Sequence, residues 1–356
     1  MRIAQVAPLY ESVPPKLYGG TERVVSYLTE ELVRQGHHVT LYASGDSVTS
    51  ARLRPGCKTA LRLSGDPASS ALAQHLHLIE KVAQQAHQFD IVHFHLDFMP
   101  FSVIRLEEML AVTTLHGRQD LPGQFPLFRE FDEMRLISIS DAQRRDMPWA
   151  SWMATVHHGL PEDLYTPCAR GGDSLVFLGR ISPEKRVDRA VEIARRAGRR
   201  LRIAAKVDPA DREYFETIRH QLDQPHVEFL DEINDREKCA FLSSAAALLF
   251  PIDWPEPFGL VMIEAMACGT PVIAFRGGSV AEIIEDGVNG FIVESIEEAV
   301  EAVERIPSID RRQCRATFET RFSARRMCDD YLRVYERVIE ESEQISGPEL
   351  DQAAVA

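Results

Sequence analysis

Two glutamates separated by seven residues are the clearest candidates for chemistry in the chain. Glu256 follows an apolar strand and precedes a helix predicted to begin near Gly259, and Glu264 lies further along that helix. The Glu256 carboxylate can accept hydrogen bonds from sugar hydroxyls, and the amides of Phe258, Gly259 and Leu260 point into the same space. Glu264 stands in an almost wholly apolar helix, where an unpartnered charge is costly, so we favour hydrogen bonding to a diol such as a ribose. The alternative is a capping carboxylate at Glu256 and a solvated Glu264.

Two cations early in the second half of the chain could bind a phosphate ester. Arg180 follows a strand that ends at Gly179, and Lys185 lies in the first turn of the next predicted helix. A guanidinium fork and an ammonium on the two sides of one turn can together hold a diphosphate. In the alternative interpretation, Lys185 forms an ion pair with Glu184 or Asp188 on a solvated helix.

The N-terminal half carries a glycine pair and a set of histidines. Gly19 and Gly20 stand between the first strand and its helix, where glycines let backbone amides approach an anion. The pair does not form the Gly-x-Gly-x-x-Gly dinucleotide motif, so no nicotinamide cofactor is indicated. His116 ends a strand and can hydrogen-bond a sugar, although a single histidine there is more often structural. His93 and His95 alternate on one strand and face the same side, and packing in a buried strand is the better interpretation of both.

An alternation of strands and helices must position these residues. The first strand, helix and second strand form a β-α-β unit, which implies a parallel sheet with a right-handed crossover. Strands are predicted at 3–7, 39–43, 91–95, 112–116, 136–139 and 154–157, then at 174–178, 201–205, 227–230, 247–251, 272–275 and 291–293, and a helix at 183–197.

The alternation lapses into proline and glycine once, which divides the chain. Two Rossmann-like, doubly wound α/β domains in tandem are therefore predicted, with the carboxyl ends of their strands facing a cleft. The predicted divisions are an N-terminal domain at 1–160, a linker at 161–173, a second domain at 174–321, a terminal helix at 322–343 and a disordered tail at 344–356.

The segment from Glu256 onward resembles the retaining GT-B glycosyltransferases of family 4. The resemblance rests on Glu256-x7-Glu264, on the Gly-Thr-Pro-Val-Ile that follows, and on the segment Gly277–Gly290, all in register. It implies that Glu256 binds hydroxyls of the donor sugar and that Glu264 binds the ribose of the nucleotide. It also implies the GT-B fold, with an acceptor-side first domain, a nucleotide-sugar-binding second domain and a terminal helix that crosses back to the first domain.

The same resemblance assigns roles to the other candidates. It implies that Arg180 and Lys185 bind the donor diphosphate, that Gly19 and Gly20 face it, and that His116 lies beside the transferred sugar. His116 and Glu256 are thus the expected catalytic residues.

Two further cations are weaker candidates for the site. Arg144 follows a helix start capped by Ser140, near which the family has an acceptor-side or phosphate role. Lys206 stands where many members have a glycine-rich turn, and either contacts the nucleotide or is simply exposed. The chain also departs from the family at His157-His158-Gly159, where Asn-Gly is more usual.

These observations favour a retaining hexosyltransferase that uses a UDP- or GDP-sugar, with UDP-glucose and GDP-mannose as the leading donors. Front-face attack is expected because no candidate carboxylate nucleophile emerges. The acceptor is a saccharide, a lipid-linked compound or a small molecule. The alternatives are a nucleotide-sugar epimerase on the same fold, a phosphorylase-like enzyme with lysine-bound pyridoxal, and an inactive binding protein.

Composition limits the partners. With 40 basic and 54 acidic side chains, the net charge of −14 argues against nucleic-acid binding and against a polybasic membrane anchor. The apolar run at the N-terminus is too short for a signal peptide, and no stretch is long enough for a membrane helix. We therefore expect a soluble, cytoplasmic protein, free or peripheral to the inner face of the membrane.

Metal and disulfide chemistry are not expected. The six cysteines lack the two-residue spacing of metal knuckles and redox motifs, so free thiols are expected. The Asp-x-Asp motif with which other transferases hold a divalent ion does not occur. Arg180, Lys185 and helix-end amides would replace that ion, and no cofactor is expected.

Overall fold

The computed structural model describes residues 1–64 and 68–346, which form thirteen strands. They are β1 Arg2–Val6, β2 His38–Ser44, β3 Arg52–Cys57, β4 Ile91–Phe94, β5 Ala111–Thr114, β6 Leu136–Ser138, β7 Trp152–Thr155, β8 Leu175–Arg180, β9 Leu201–Lys206, β10 Val227–Phe229, β11 Ala247–Phe250, β12 Val272–Phe275 and β13 Gly290–Val293.

The same residues form fourteen α-helices. They are α1 Gly20–Arg34, α2 Leu61–Ser64, α3 Ala68–Ala83, α4 Phe101–Leu106, α5 Phe125–Glu130, α6 Asp141–Arg144, α7 Val187–Arg196, α8 Arg212–Leu222, α9 Asp235–Ser243, α10 Leu260–Ala267, α11 Val280–Ile283, α12 Ile296–Arg305, α13 Arg311–Arg321 and α14 Ala324–Ser346. Among the described helices, none combines the length and the apolar character that a membrane crossing requires.

The chain divides into two compact units, each built on one parallel sheet. Among the described residues, the first unit consists of Met1–Ile139, Arg144–His157 and Ala324–Ser346; the second consists of Ser140–Gln143 and His158–Ser323. The first sheet has seven strands in the order β3-β2-β1-β4-β5-β6-β7, and the second has six in the order β10-β9-β8-β11-β12-β13. The predicted doubly wound α/β class is confirmed.

Each sheet has a point where the strand order reverses, and the candidate residues follow the strands near it. In the first sheet the reversal lies between β1 and β4, and in the second between β8 and β11. In such sheets ligands bind outside the carboxyl ends of the strands at this point. β1 leads to Gly19 and Gly20, β8 ends at Arg180, and β11 leads to Glu256.

The strand predictions are correct to within two residues at each end, with one omission. The omitted strand, β3, contains Pro55 and Gly56, two residues that argue against a central strand. It lies at the edge of the first sheet beside β2, where a missing ladder donor is tolerated.

The helix predicted at 183–197 is interrupted. Pro183–Lys185 form one 3₁₀ turn, and α7 begins only at Val187. Between them Arg186 has a left-handed backbone with φ of 51°, which breaks the helix.

The predicted linker at 161–173 packs against the second unit. The backbone N–H of Cys168 donates to the Cys268 carbonyl at 3.0 Å, and that of Gly172 donates to the Ser244 carbonyl at 2.8 Å. Tyr165 is buried. Proline and glycine in this segment therefore mark an irregular backbone, and it is nevertheless ordered by hydrogen bonds.

The terminal helix α14 belongs to the first unit. It packs against α1, with Gln35 Nε2 donating to Asp329 Oδ1 at 2.9 Å. It continues to Ser346, so residues 344–346, which the sequence assigned to the disordered tail, are helical. Residues 347–356 of that predicted tail lie outside the described residues. The apolar face is buried, through Met327, Tyr331, Val334, Tyr335 and Val338.

Hydrogen bonds tie α14 to the first sheet. The Tyr335 hydroxyl accepts from Gln5 Nε2 at 3.0 Å and lies 2.6 Å from His93 Nδ1. Gln5 is on β1 and His93 is on β4, so one phenol connects the helix to the two strands at the reversal of the sheet.

We expect Tyr335→Phe to destabilise the protein by about 1–3 kcal/mol, because removal of the hydroxyl takes a hydrogen-bond partner from two buried polar groups. Urea unfolding followed by circular dichroism measures the change. Tyr10→Phe, which removes the hydroxyl of a tyrosine that is 44% exposed, is the matched control and should be near neutral. Equal stability of Tyr335→Phe and wild type would contradict the importance of this contact.

Candidate functional site

The Glu256 carboxylate is buried between a cation and an indole. Glu256 Oε2 accepts a hydrogen bond from Lys185 Nζ and another from Trp254 Nε1 at 2.8 Å, and the residue is 7% exposed. Lys185 also lies over the Trp254 ring, with Nζ 4.7 Å from its centroid. These contacts hold the carboxylate in one orientation next to the carboxyl end of β11.

The ion-pair partners differ from those in the solvated-helix alternative. Lys185 pairs with Glu256 rather than with Glu184 or Asp188. Glu184 instead accepts from Arg180 Nη2 at 2.6 Å, and Asp188 pairs with Arg186 at 2.8 Å. That alternative is therefore wrong for Lys185.

The Arg180 guanidinium lies between two carboxylates. Besides its bond to Glu184, its Nε is 3.2 Å from Asp211 Oδ2 at the start of α8. Burial raises the pKa of Asp211, and the nearby charge of Arg180 offsets this only in part. An anion that binds Arg180 therefore has to compete with carboxylates already in place.

Two glycines shape the loop that carries Glu256. Gly259 caps α10 with φ of 81°, and the helix begins at Leu260, so the Leu260 amide is at a helix N-terminus. Gly278 has φ of 51°, and a Cβ there would lie 2.1 Å from the Glu256 carbonyl oxygen. The Gly277-Gly278 motif therefore lets a neighbouring turn approach the Glu256 backbone closely.

The turn that contains Gly278 also contacts Phe258, which lies between Glu256 and α10. Ser279 Oγ donates to the Phe258 carbonyl at 2.8 Å, and the Ser279 amide donates to the Glu256 carbonyl at 2.9 Å. The Phe258 ring is buried, with the His158 ring centroid 4.7 Å away. The side chain of Phe258 is thus a packing group, and only its backbone remains a candidate contact.

Glu264 is a buried carboxylate whose partners the sequence did not reveal. Its Oε1 accepts from Lys238 Nζ at 2.8 Å and from the Tyr165 hydroxyl at 3.2 Å, and it is 4% exposed. A solvated helix position is therefore wrong. Lys238 lies on α9, and its only signal in the sequence was the need of Glu264 for a cation.

Lys206 ends β9, the strand next to β8. Its Nζ is 3.6 Å from Asp208 Oδ2, and the side chain is 16% exposed. It is therefore mostly buried beside an acidic partner, and is not simply an exposed lysine.

In the first unit, Gly19 and Gly20 form the start of α1. Gly19 is the N-cap of this 15-residue helix, whose first turn carries the buried Glu22. Burial raises the pKa of Glu22, and Glu11 nearby adds to the shift. Neither carboxylate was singled out from the sequence. A helix N-terminus suits an anion, but here it lies close to two acidic groups.

His116 belongs to a chain of buried side chains in the first unit. His116 Nε2 lies 2.8 Å from His95 Nδ1, and His95 Nε2 lies 2.9 Å from Gln5 Oε1. Burial lowers the pKa of His116 to about 3, so its imidazole is neutral at physiological pH. Packing is correct for His93 and His95, which are both buried, yet His95 also contacts the candidate catalytic histidine.

Arg144 contacts strand β7. Its Nη1 donates to Thr155 Oγ1 at 3.2 Å, and its guanidinium lies 5.7 Å from the Trp152 ring centroid. The preceding helix start is capped as predicted, because Ser140 Oγ accepts from the Gln143 amide at 3.1 Å.

The structure joins some of the predicted residues and leaves others apart. A direct contact links Lys185 to Glu256, whereas Arg180 and Glu264 have partners that were not among the predicted residues. Within residues 1–64 and 68–346, no group of three or more histidine, cysteine, aspartate or glutamate side chains is arranged to hold a metal ion.

Comparison with known families decides what this arrangement belongs to. The family model described as Glycosyl transferases group 1 matches residues 170–318, and the model described as Glycosyltransferase Family 4 matches residues 18–160. The chain belongs to this family of glycosyltransferases. The predicted membership of glycosyltransferase family 4 is confirmed, and so is the prediction of a glycosyltransferase enzyme.

Curated relatives of this glycosyltransferase match all or part of the chain. The phosphatidyl-myo-inositol mannosyltransferase of Mycolicibacterium smegmatis is 26% identical, over 98% of this chain and 95% of that protein. The D-inositol 3-phosphate glycosyltransferase of the same organism is 31% identical, over only 46% of this chain and 40% of that protein.

Solved structures share the fold. AviGT4, a glycosyltransferase involved in avilamycin A biosynthesis, has a TM-score of 0.70 at 24% identity and covers 95% of this chain and 98% of its own. Anabaena HepE, in complex with UDP and glucose, has a TM-score of 0.72 at 18% identity and covers 95% of this chain and 100% of its own. The glycosyltransferase therefore has the GT-B fold.

The buried imidazoles predict a loss of stability in mild acid. Burial holds the pKa of His93 well below its ordinary value. The His93 ring therefore stays neutral in the folded protein, while in the unfolded chain it gains a proton below about pH 6.5. Between pH 7 and pH 5 this residue should lower the free energy of unfolding by about 2 kcal/mol.

Urea unfolding of wild type and His93→Gln at the two pH values tests this. Glutamine cannot titrate, so the variant should lose about 2 kcal/mol less than wild type on acidification. His77→Gln on the exposed side of α3 is the matched control and should behave as wild type. Equal acid sensitivity in His93→Gln and wild type would show that His93 is not the buried neutral group described here.

Proposed function

We propose that this glycosyltransferase moves a sugar from a nucleoside diphosphate sugar onto an acceptor, with retention of the anomeric configuration and without a metal ion. The observation that carries the proposal is the contact between Lys185 and Glu256 near the carboxyl ends of β8 and β11. It supports the proposal because a cation that could bind phosphate lies next to a carboxylate that could bind sugar hydroxyls, and such a donor requires both chemistries.

The donor diphosphate would bind Arg180 and Lys185. Both cations are partly desolvated, with side-chain exposures of 34% and 18%, and both are held by carboxylates. A diphosphate brings at least two negative charges and can replace Glu184, Asp211 and Glu256 as their partner. Its neutralisation by these side chains supports a reaction that needs no divalent ion.

Exchange of partners would give Glu256 its second role. When the diphosphate attracts Lys185, the Glu256 carboxylate loses one of its donors and can accept hydrogen bonds from sugar hydroxyls instead. Trp254 Nε1, which donates to the same oxygen at 2.8 Å, keeps the carboxylate in place during the exchange.

Glu264 would bind the two hydroxyls of the nucleotide ribose. Lys238 and the Tyr165 hydroxyl both contact Oε1, which keeps the carboxylate in one orientation. The helix around it is apolar, so a diol bound there would find a strong acceptor with little competition from water.

His116 is proposed to contact the transferred sugar. A neutral imidazole can exchange hydrogen bonds with a hydroxyl but cannot supply a fixed positive charge, and burial keeps His116 neutral. Retention is proposed to occur by front-face attack, since the resemblance supplies a histidine and not a carboxylate nucleophile at this place.

The donors to test first are UDP-glucose and GDP-mannose. HepE forms complexes with UDP and with UDP-glucose, and a full-length relative is named a mannosyltransferase. The acceptor is proposed to be a saccharide, a lipid-linked compound or a small molecule.

Incubating the protein with each donor in the presence and absence of EDTA, together with an acceptor panel, tests the function. We expect release of nucleoside diphosphate, a glycosylated product whose anomeric coupling in NMR matches that of the donor, and the same rate with EDTA. Inversion, or a rate that EDTA abolishes and magnesium or manganese restores, would overturn the mechanism. An epimerised nucleotide sugar without transfer would instead identify an epimerase.

The two glutamates should have different kinetic effects. Glu264→Gln should raise the donor KM about tenfold with little change in kcat, because ribose contacts persist unchanged into the transition state. Glu256→Gln should lower kcat about 100-fold, because Glu256 contacts the ring that reacts. Glu297→Gln, whose side chain is 69% exposed, is the control. Wild-type kinetics in both variants would show that the site is wrongly placed.

The phosphate clamp predicts opposite effects from a cation and from its competitor. Arg180→Ala should weaken nucleoside diphosphate binding at least about tenfold and leave nucleoside binding nearly unchanged, because it removes a charge-assisted contact. Asp211→Asn should strengthen diphosphate binding, because it removes a carboxylate that competes for Arg180. Calorimetry measures both, and equal loss of nucleoside and nucleoside diphosphate affinity in Arg180→Ala would contradict the clamp.

A further inference from the structure

Hydrogen bonds join the side chains of Tyr335, Gln5, His95 and His116 in the first unit. The orientation of the Gln5 amide determines which nitrogen of each of these two histidines carries the hydrogen. Gln5 Nε2 donates to the Tyr335 hydroxyl at 3.0 Å, so Gln5 Oε1 is the atom that faces His95 Nε2 at 2.9 Å. An amide oxygen only accepts hydrogen bonds, and therefore the His95 hydrogen is on Nε2.

The position of the hydrogen on His95 in turn determines its position on His116. A neutral imidazole with its hydrogen on Nε2 has a lone pair on Nδ1, and His95 Nδ1 lies 2.8 Å from His116 Nε2. His116 must then donate from Nε2, which leaves the lone pair of its ring on Nδ1.

Burial favours the neutral form of an imidazole ring. His95 is 2% exposed, and burial lowers the pKa of His116 to about 3. Titratable groups close to these side chains include His93, Tyr331 and Tyr335, all fully buried, and Asp97, whose carboxylate accepts from the His116 backbone amide. Burial lowers the pKa of His93 and raises the pKa of both phenols, so these three are uncharged at neutral pH.

We propose that Gln5 and His95 are positioning residues that hold His116 in the tautomer with hydrogen on Nε2 and the acceptor lone pair of the ring on Nδ1. The proposal rests on the role proposed above for His116. The opposite tautomer would carry the hydrogen on Nδ1, which would then donate a hydrogen bond instead of accepting one. Terminal helix α14 takes part, because Tyr335 fixes the amide of Gln5.

The tautomers can be observed without any substrate. Long-range ¹H–¹⁵N spectra of the ¹⁵N-histidine-labelled protein near pH 7, assigned with His95→Asn and His116→Asn, should show hydrogen on Nε2 in both His95 and His116. Hydrogen on Nδ1 of His116 would mean that the Gln5 amide has the opposite orientation, and it would overturn the proposal whether or not the protein transfers a sugar.

Two substitutions at His95 separate positioning from packing. Asparagine carries its amide group at the distance from the backbone at which histidine carries Nδ1, and glutamine carries it at the distance of Nε2. His95→Asn can keep an acceptor for His116, whereas His95→Gln can keep only the contact with Gln5.

We expect His95→Gln to lower kcat about 10–100-fold while the donor KM changes by less than about twofold, and His95→Asn to stay within about threefold of wild type. If kcat falls more in His95→Asn than in His95→Gln, the contact with Gln5 matters more than an acceptor for His116. That result would overturn the positioning role. If the spectra give the expected tautomers but wild type transfers no sugar, the proposed function fails while the tautomer assignment stands.

Discussion

The candidate donor site in the second unit is built from buried charges that are held in pairs. An ion removed from water loses several kcal/mol of solvation, which a well-placed partner and further hydrogen bonds must offset. Lys185 with Glu256 and Lys238 with Glu264 satisfy this requirement, each pair joined to a third group, Trp254 or Tyr165. Each carboxylate is therefore held in one orientation by other groups of the protein.

The same pairs explain how an acidic protein could take up a dianionic ligand. The net charge of −14 repels a diphosphate at long range, and screening limits that repulsion to about 8 Å in physiological salt. At short range the cations Arg180 and Lys185 are partly desolvated and are held by carboxylates. In the proposed binding mode a diphosphate would replace these anionic partners, so little new desolvation of the cations would be needed.

The fold places these groups where strand order reverses. Arg180 ends β8 and Glu256 follows β11, the two strands at the reversal of the second sheet, and Gln5 and His93 lie on the corresponding strands of the first sheet. Neighbouring parallel strands end at the same edge, so residues far apart in the chain meet there. In the first unit the terminal helix completes the arrangement, since Tyr335 supplies a hydroxyl to both β1 and β4.

The sequence predicted most of the fold, because apolar strands in a parallel sheet leave a strong pattern. It missed β3 because an edge strand tolerates Pro55, and it missed the break at Arg186 because a left-handed arginine has no local signature. For the site, the apolar surroundings of Glu264 predicted that a partner exists. They could not say that the partner is Lys238, because that depends on how α9 packs against α10.

The histidines illustrate the same limit. Alternation on one strand placed His93 and His95 on one side and supported packing. Which side chains they meet depends on β1, β5 and α14, which are distant in the chain. Spacing along one strand cannot reveal a hydrogen-bonded chain that is assembled from several elements.

The central claim is that the paired charges of the second unit are the binding site of the donor. A crystal structure of the whole chain with a bound nucleoside diphosphate tests it most directly. We predict the diphosphate within hydrogen-bond distance of Arg180 and Lys185, the ribose hydroxyls on Glu264, and a lengthened contact between Lys185 and Glu256. A nucleotide bound elsewhere, or bound with the Lys185–Glu256 contact intact and no contact to Glu264, would contradict the account.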